Sequence, residues 1–248
     1  MKKIKIVIFK KNSLIVVFSV LIILLFASII FIVKGSILAN TFSDPNSGII
    51  VIDPGHGGID GGTNKEGILE KEINLDIGKR LCFFLEQKGY KVIMTRNDDT
   101  SLDTLDSSSK SRHQRDLNAR VNIINNSNAQ LFVSIHVNCN LKKPSTEGAI
   151  VFYNNKFEQS KTLAYNIQRN LNSIDIGNRK RTVHNPTPAK YFVLGNAGIP
   201  GVLVETAFIS NKVERLEMTK ESFRENTAKA VVSGIQQYLQ ESTNVSVP

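Results

Sequence analysis

Ile49-Ile50-Val51-Ile52-Asp53-Pro54-Gly55-His56-Gly57-Gly58 is the stretch from which the fold is read. Four β-branched residues in a row, with no polar one among them, describe a strand buried on both faces. Outward from it, the pattern alternates. Glu70 to Lys88 places Ile73, Ile77, Leu81, Phe84 and Leu85 at helical spacing, and Gly89 is its C-terminal stop. Tyr90 to Thr95 is a second strand, Leu117 to Ile124 a helix, Gln130 to Ile135 a strand and Gly148 to Tyr153 another. Glu158 to Leu171 is helical, Val202 to Thr206 is a last buried strand, and Ser222 to Leu239 closes the chain as an amphipathic helix. Strands alternating with helices predict a single three-layer α/β domain over residues 48–242, with a mostly parallel or mixed sheet and helices on both faces.

Before this domain lie a basic arm, an apolar run and a linker. The 248 residues carry 31 Lys and Arg against 22 Asp and Glu, a formal charge of +9. Six lysines and no acid fall in the first 40 residues, so the body is near neutral. A nucleic-acid binder carries its basic stripe on the folded domain, so that class is excluded. Leu14 to Val33 is uncharged, with only Ser19 and Ser28 polar. As a helix it is about 30 Å long, the thickness of the hydrocarbon core. It reads as an uncleaved membrane anchor through residues 14–33, with a cleaved secretory signal as the alternative. The lysines before it stay in the cytoplasm, which places the remainder outside the membrane. Residues 35–47 are small and polar and read as a linker. Two cysteines, Cys82 and Cys139, allow at most one bridge and exclude a four-cysteine zinc site.

Three polar side chains fall at ends of predicted buried strands: His56, His136 and Glu205. In open α/β sheets, sites form at the carboxyl ends of strands. A lone histidine there is usually structural, but two histidines and a glutamate at equivalent ends point to a site. The glycines around His56 let the backbone turn sharply about a ligand. A phosphate loop is excluded, because the turn lacks the Gly-Lys-Ser/Thr ending and opens no helix with GxGxxG. A His, Glu, His set is a known catalytic zinc arrangement that leaves the fourth position to water. The residues alone leave Glu66, Glu70 and Glu72 open as the carboxylate.

Four motifs occur in order: Val51-Ile52-Asp53-Pro54-Gly55-His56-Gly57-Gly58, Leu69-Glu70-Lys71-Glu72-Ile73-Asn74-Leu75, Phe132-Val133-Ser134-Ile135-His136-Val137-Asn138 and Leu203-Val204-Glu205-Thr206-Ala207-Phe208-Ile209-Ser210-Asn211. Together they resemble the zinc-dependent N-acetylmuramoyl-L-alanine amidases of bacterial cell walls, over nearly all of residues 48–240. The intervening Thr95-Arg96 and Leu117-Asn118-Ala119-Arg120 match as well. Ala207 stands where glycine is usual, and Asn140 and Leu141 replace small residues. The resemblance implies one zinc per chain held by His56, Glu70 and His136, with Glu205 as the catalytic acid–base. It also implies a peptidoglycan substrate, cut between the lactyl group of muramic acid and L-alanine. In architecture the chain is closest to the germination-specific amidases of endospore formers, which act on the spore cortex toward muramic-δ-lactam.

Two rival functions are a membrane-anchored wall-binding protein without catalysis and another zinc hydrolase of the wall, a peptidase or deacetylase. Presence of all four site residues counts against the first; the second shares the zinc chemistry. Asp53 is expected either to orient His56 or to cap the turn. Cys139, His113 and His184 read as plain loop residues. Arg96, Arg115 and Arg120 read as surface arginines, with contact to stem-peptide carboxylates as the alternative. Residues 97–113 read as a mobile loop. Asn97 to Arg112, with only Leu102 and Leu105 apolar, has too little to bury to act as a lid. An open site follows, governed by zinc occupancy or by an activating partner protein.

Overall fold

The computed structural model describes residues 22, 24–26, 28, 29, 48–177 and 179–245. The linker and most of the 14–33 run lie outside these, and with them the choice between anchor and signal. The six described residues of that run are helical. Among the described residues no helix is long and apolar enough to cross a membrane.

Six strands form the main sheet: β1 (Ile49–Pro54), β2 (Lys91–Met94), β3 (Leu131–Asn138), β4 (Ile150–Tyr153), β5 (Thr187–Pro188) and β6 (Gly201–Phe208). Their spatial order is β2-β1-β3-β6-β4-β5. All neighbours are parallel except β6 and β4, so the sheet is mixed, as expected. The helices are α1 (Glu70–Glu86), α2 (Arg112–Asn125), α3 (Glu158–Leu171), α4 (Phe192–Asn196), α5 (Lys212–Met218) and α6 (Glu221–Val245).

Alternation along β1 explains the three layers. Ile50 and Ile52 join Ile77 and Leu81 of α1, Leu163 and Ile167 of α3, and Val231 and Ile235 of α6 in one core. Val51 points the other way, into a second core with Phe132, Leu203, Ile124 of α2 and Val193 of α4. Each face of the strand is covered, which is why its sequence is apolar without alternation.

Several boundaries differ from the sequence reading. Helix α2 starts at Arg112, five residues early, because the Ser111 side chain caps it by accepting from the Gln114 amide at 3.3 Å. Its first turn is polar, so hydrophobic spacing missed it. Helices α4 and α5, with five and seven residues, are too short for a periodic signal. Segment 97–111 is better tied than a free loop. Asp103–Leu105 forms a 3₁₀ turn, Leu102 is buried, and its amide donates to Asp116 at 2.8 Å.

The chain runs β1 to β2 on one side and then crosses to β3 on the other side of β1. The carboxyl ends of β1 and β3 therefore diverge at a switch point, the crevice where open α/β sheets bind ligands.

Candidate active site

His56 leaves the end of β1 in the left-handed region, at φ 62°. Its turn is closed by paired amide bonds between Gly57 and Asp60. His136 lies inside β3 rather than ending it, and Glu205 is its direct register partner on β6. The register shifts between Glu205 and Phe208, and such irregularities beside a site re-aim side chains. Glu70 is the first residue of α1 and is 3% exposed.

These elements bring three side chains to one point. Glu70 Oε1 lies 3.2 Å from His56 Nε2 and 3.1 Å from His136 Nδ1. The same oxygen accepts from the Val137 amide at 3.1 Å and from Asn74 Nδ2 at 3.3 Å. Oε2 accepts from the Thr63 amide at 2.9 Å. His56 Nδ1 faces Asp60 Oδ2 at 3.0 Å. Of the three glutamates left open by the residues alone, only Glu70 meets the histidines. Glu72 is exposed, and Glu66 pairs with Arg215 at 2.7 Å.

Two glycines make room for this convergence. A Cβ on Gly55 would lie 2.2 Å from the His136 ring, and one on Gly62 would lie 2.7 Å from both Glu70 Oε2 and the His56 ring. Gly62 also sits at φ 63°.

The electrostatics favour positive charge at the centre. Burial pushes Glu70 up, but hydrogen bonds from His136 and His56 outweigh it and hold the carboxyl well below the usual range. Burial pulls His56 down, yet the bond and charge of Glu70, then of Asp60, raise it to about 9. Glu205 is different. Burial pushes it up to about 7, with the His136 charge lowering it and Glu70 raising it. Its Oε2 is buried without a hydrogen-bond partner. A polar atom so placed costs free energy unless something uses it.

The donor set fits a divalent zinc ion. One ligand atom from each of His56, Glu70 and His136 lies within 4.8 Å of the others. Nitrogen and carboxylate oxygen are zinc donors, and three protein ligands are the catalytic rather than the structural number. The two histidine side chains keep 23% and 21% exposure. They open on a cleft of about 260 Å³ whose apolar wall includes Leu117, Phe192 and Leu203.

Other expectations are corrected. Asp53 neither orients His56 nor caps the turn. It accepts from Thr95 Oγ1, Ser134 Oγ and Arg120 Nη1, each at 2.7 Å. Asp60 is the carboxylate beside His56; its place four residues on, in the same glycine-rich turn, was the signal available. Asn74 was also missed, although the i, i+4 spacing from Glu70 puts both on one helix face. Arg96 and Arg120 are buried, not surface groups. Burial and the neighbouring Arg120 charge push Arg96 down to about 10. Arg115 ties segment 97–111, donating to the carbonyls of Asp103 and Ser109. His113 stands on the first turn of α2 and lines the cleft. His184 pairs with the Glu147 carbonyl at 2.8 Å. Cys82 and Cys139 are free thiols.

Comparison with known proteins agrees with this geometry. The family described as N-acetylmuramoyl-L-alanine amidase matches residues 50–237. The germination-specific N-acetylmuramoyl-L-alanine amidase of Bacillus subtilis (strain 168) is 35% identical over 204 residues, covering 81% of this chain and 84% of that protein. N-acetylmuramoyl-L-alanine amidase LytC of the same strain is also 35% identical over 204 residues, covering 81% of this chain but 38% of its own length. The CwlD amidase from Clostridioides difficile, solved in complex with the GerS lipoprotein, is 36% identical with a TM-score of 0.71, over 78% of this chain and 99% of that one. A match that spans both cores and the whole crevice shows that this chain belongs to the N-acetylmuramoyl-L-alanine amidase family and is an amidase acting on peptidoglycan.

Proposed function

We propose that this amidase is zinc-dependent, with His56, Glu70 and His136 as metal ligands and Glu205 as the catalytic acid–base. We further propose that its substrate is spore-cortex peptidoglycan and that its product leads toward muramic-δ-lactam. The observation that carries the zinc reading is the convergence of the three ligand atoms beside a buried, unpartnered glutamate oxygen. Cortex as substrate is supported by the likeness to the germination-specific amidase of Bacillus subtilis, across most of both chains.

Zinc, when bound, supplies a Lewis acid that lowers the pKa of water to about 7 and polarises the carbonyl. The chain's own residues do the rest. Asp60 fixes the His56 ring through Nδ1, and the Val137 and Thr63 amides fix the Glu70 carboxylate. Glu205 takes a proton from the attacking water. As the bond from the lactyl carbonyl to L-alanine breaks, Glu205 returns that proton to the alanine nitrogen. A carboxyl raised to about 7 suits both directions near neutral pH. Water's oxygen and one of its protons end in the new carboxyl group, and its other proton ends on the alanine nitrogen. The carboxyl then gives its proton to the amine, leaving carboxylate and ammonium, and Glu205 ends unchanged.

Residues 48–242 form the catalytic domain in this reading, 35–47 the linker, and 1–34 the basic arm and membrane segment. The domain works outside the cytoplasmic membrane. An activating partner protein is part of the proposal, supported by the Clostridioides difficile relative having been solved with a lipoprotein.

Mass spectrometry of purified wall fragments tests the reaction, with the full-length protein stripped of metal and then reloaded. Zinc is expected to restore release of peptides beginning with a free L-alanine amine. Free acetate, or new amines within the stem peptide, would favour a deacetylase or a peptidase instead.

A further inference from the structure

Resting on the zinc reading above, we propose that Arg96 and Arg120 are positioning residues for the metal site. Together they fix the backbone that carries His56, and so set how tightly the metal is held.

A residue with a side chain adopts the left-handed conformation of His56, at φ 62°, at a cost. It persists only where its surroundings over-determine it. Two guanidiniums meet that need. Arg96 Nε donates to the Pro54 carbonyl at 2.9 Å, and its Nη2 donates to Gly55 O at 3.0 Å. Arg120 Nη1 donates to Pro54 O at 2.8 Å, and its Nη2 donates to His56 O at 2.7 Å. The carbonyls of three consecutive residues, ending on the ligand itself, are all held by arginine.

Each clamp is itself anchored. Arg120 is paired with Asp53 and Asp116, both at 2.7 Å. Arg96 donates to the carbonyls of Lys71 and Asp98. Lys71 sits one residue after Glu70, so Arg96 bridges the His56 turn to the helix start that supplies the carboxylate. Two like charges are buried side by side in this arrangement, which costs free energy that simple packing would avoid. A planar fork with several donors in fixed directions suits three neighbouring carbonyls; a lysine ammonium does not reproduce it.

The test uses the full-length chain in detergent, as wild type, Arg96→Lys, Arg120→Lys and Ile167→Ala. Zinc affinity is measured by competition with a chromophoric chelator, and folding by circular dichroism and thermal melting. The arginine variants are expected to hold zinc about 10–100-fold more weakly, the usual loss when groups supporting a metal ligand are removed. Ile167→Ala removes a core contact on α3, which carries no site residue and donates to none of the three carbonyls. It should melt earlier and keep its zinc affinity, which separates positioning from general weakening. If Arg120→Lys does not fold, Arg96→Lys decides, because its hydrogen bonds here are all to backbone carbonyls. Folded arginine variants with wild-type zinc affinity would overturn the proposal and leave the zinc reading standing. A wild type that binds no zinc would overturn the zinc reading, and the clamp's role in metal retention with it.

Discussion

Glu205 occupies the middle of a strand whose eight residues are all buried. Its backbone is in register with His136 on β3, and one oxygen of its carboxyl has no hydrogen-bond partner. Replacing it with glutamine keeps the shape and removes the proton acceptor. Turnover of Glu205→Gln is expected to fall by roughly 10²–10⁴-fold while zinc content and melting stay near wild type. Near-normal turnover would move the acid–base role to another group. His136 tests the ligand set at the same scale. His136→Ala should lose zinc and activity together, read by elemental analysis of the purified protein; full occupancy would remove His136 from the ligands.

At the scale of elements, Asp53 ties together the strands and the helix around the cleft. From the end of β1 it accepts from Ser134 on β3, from Thr95 after β2 and from Arg120 on α2. Burial pushes its carboxyl up, but the Arg120 charge and the two hydroxyl bonds outweigh this and hold it below the ordinary value. A depressed carboxylate adds stability that is complete above its unfolded pKa, near 3.9, and is lost as pH falls through the folded value. Asp53→Asn should therefore be less stable at pH 7 by about 3–5 kcal/mol, the cost of breaking a buried pair. That gap should narrow as pH drops below about 4, measured by denaturant unfolding across pH. The α3–α6 seam carries none of the site residues. Ile167 is fully buried there, and the backbone of Gly234 packs directly against it. Ile167→Ala should cost about 2–5 kcal/mol in unfolding free energy.

For the whole molecule, the asymmetry of charge and hydropathy sets the expected location. Six lysines precede or flank a 20-residue apolar run, and the body that follows is near neutral. Full-length protein is expected to sediment with membranes and to begin at or near Met1. A soluble form starting near Asn40, found by N-terminal sequencing, would instead mark the run as a cleaved signal.

Local pattern determined the two-sided burial of β1, the helix Glu158–Leu171 to the residue, and the assignment of His136 and Glu205 to buried strands and of His56 to the turn after one. These follow from hydrophobic periodicity and chain direction, which neighbouring residues carry by themselves. The physics of the residues stopped short of choosing among Glu66, Glu70 and Glu72, which lie within seven positions and look alike as carboxylates. Tertiary structure separated them, because only the start of α1 faces both histidines while Glu66 turns to Arg215. The arginines were legible only in three dimensions as well. Arg120 reaches a carbonyl 64 residues away in the chain, and nothing near it in sequence marks it as buried. A charged side chain is driven inside by partners that the fold assembles, so its position is decided by packing between distant elements rather than by its neighbours in the chain.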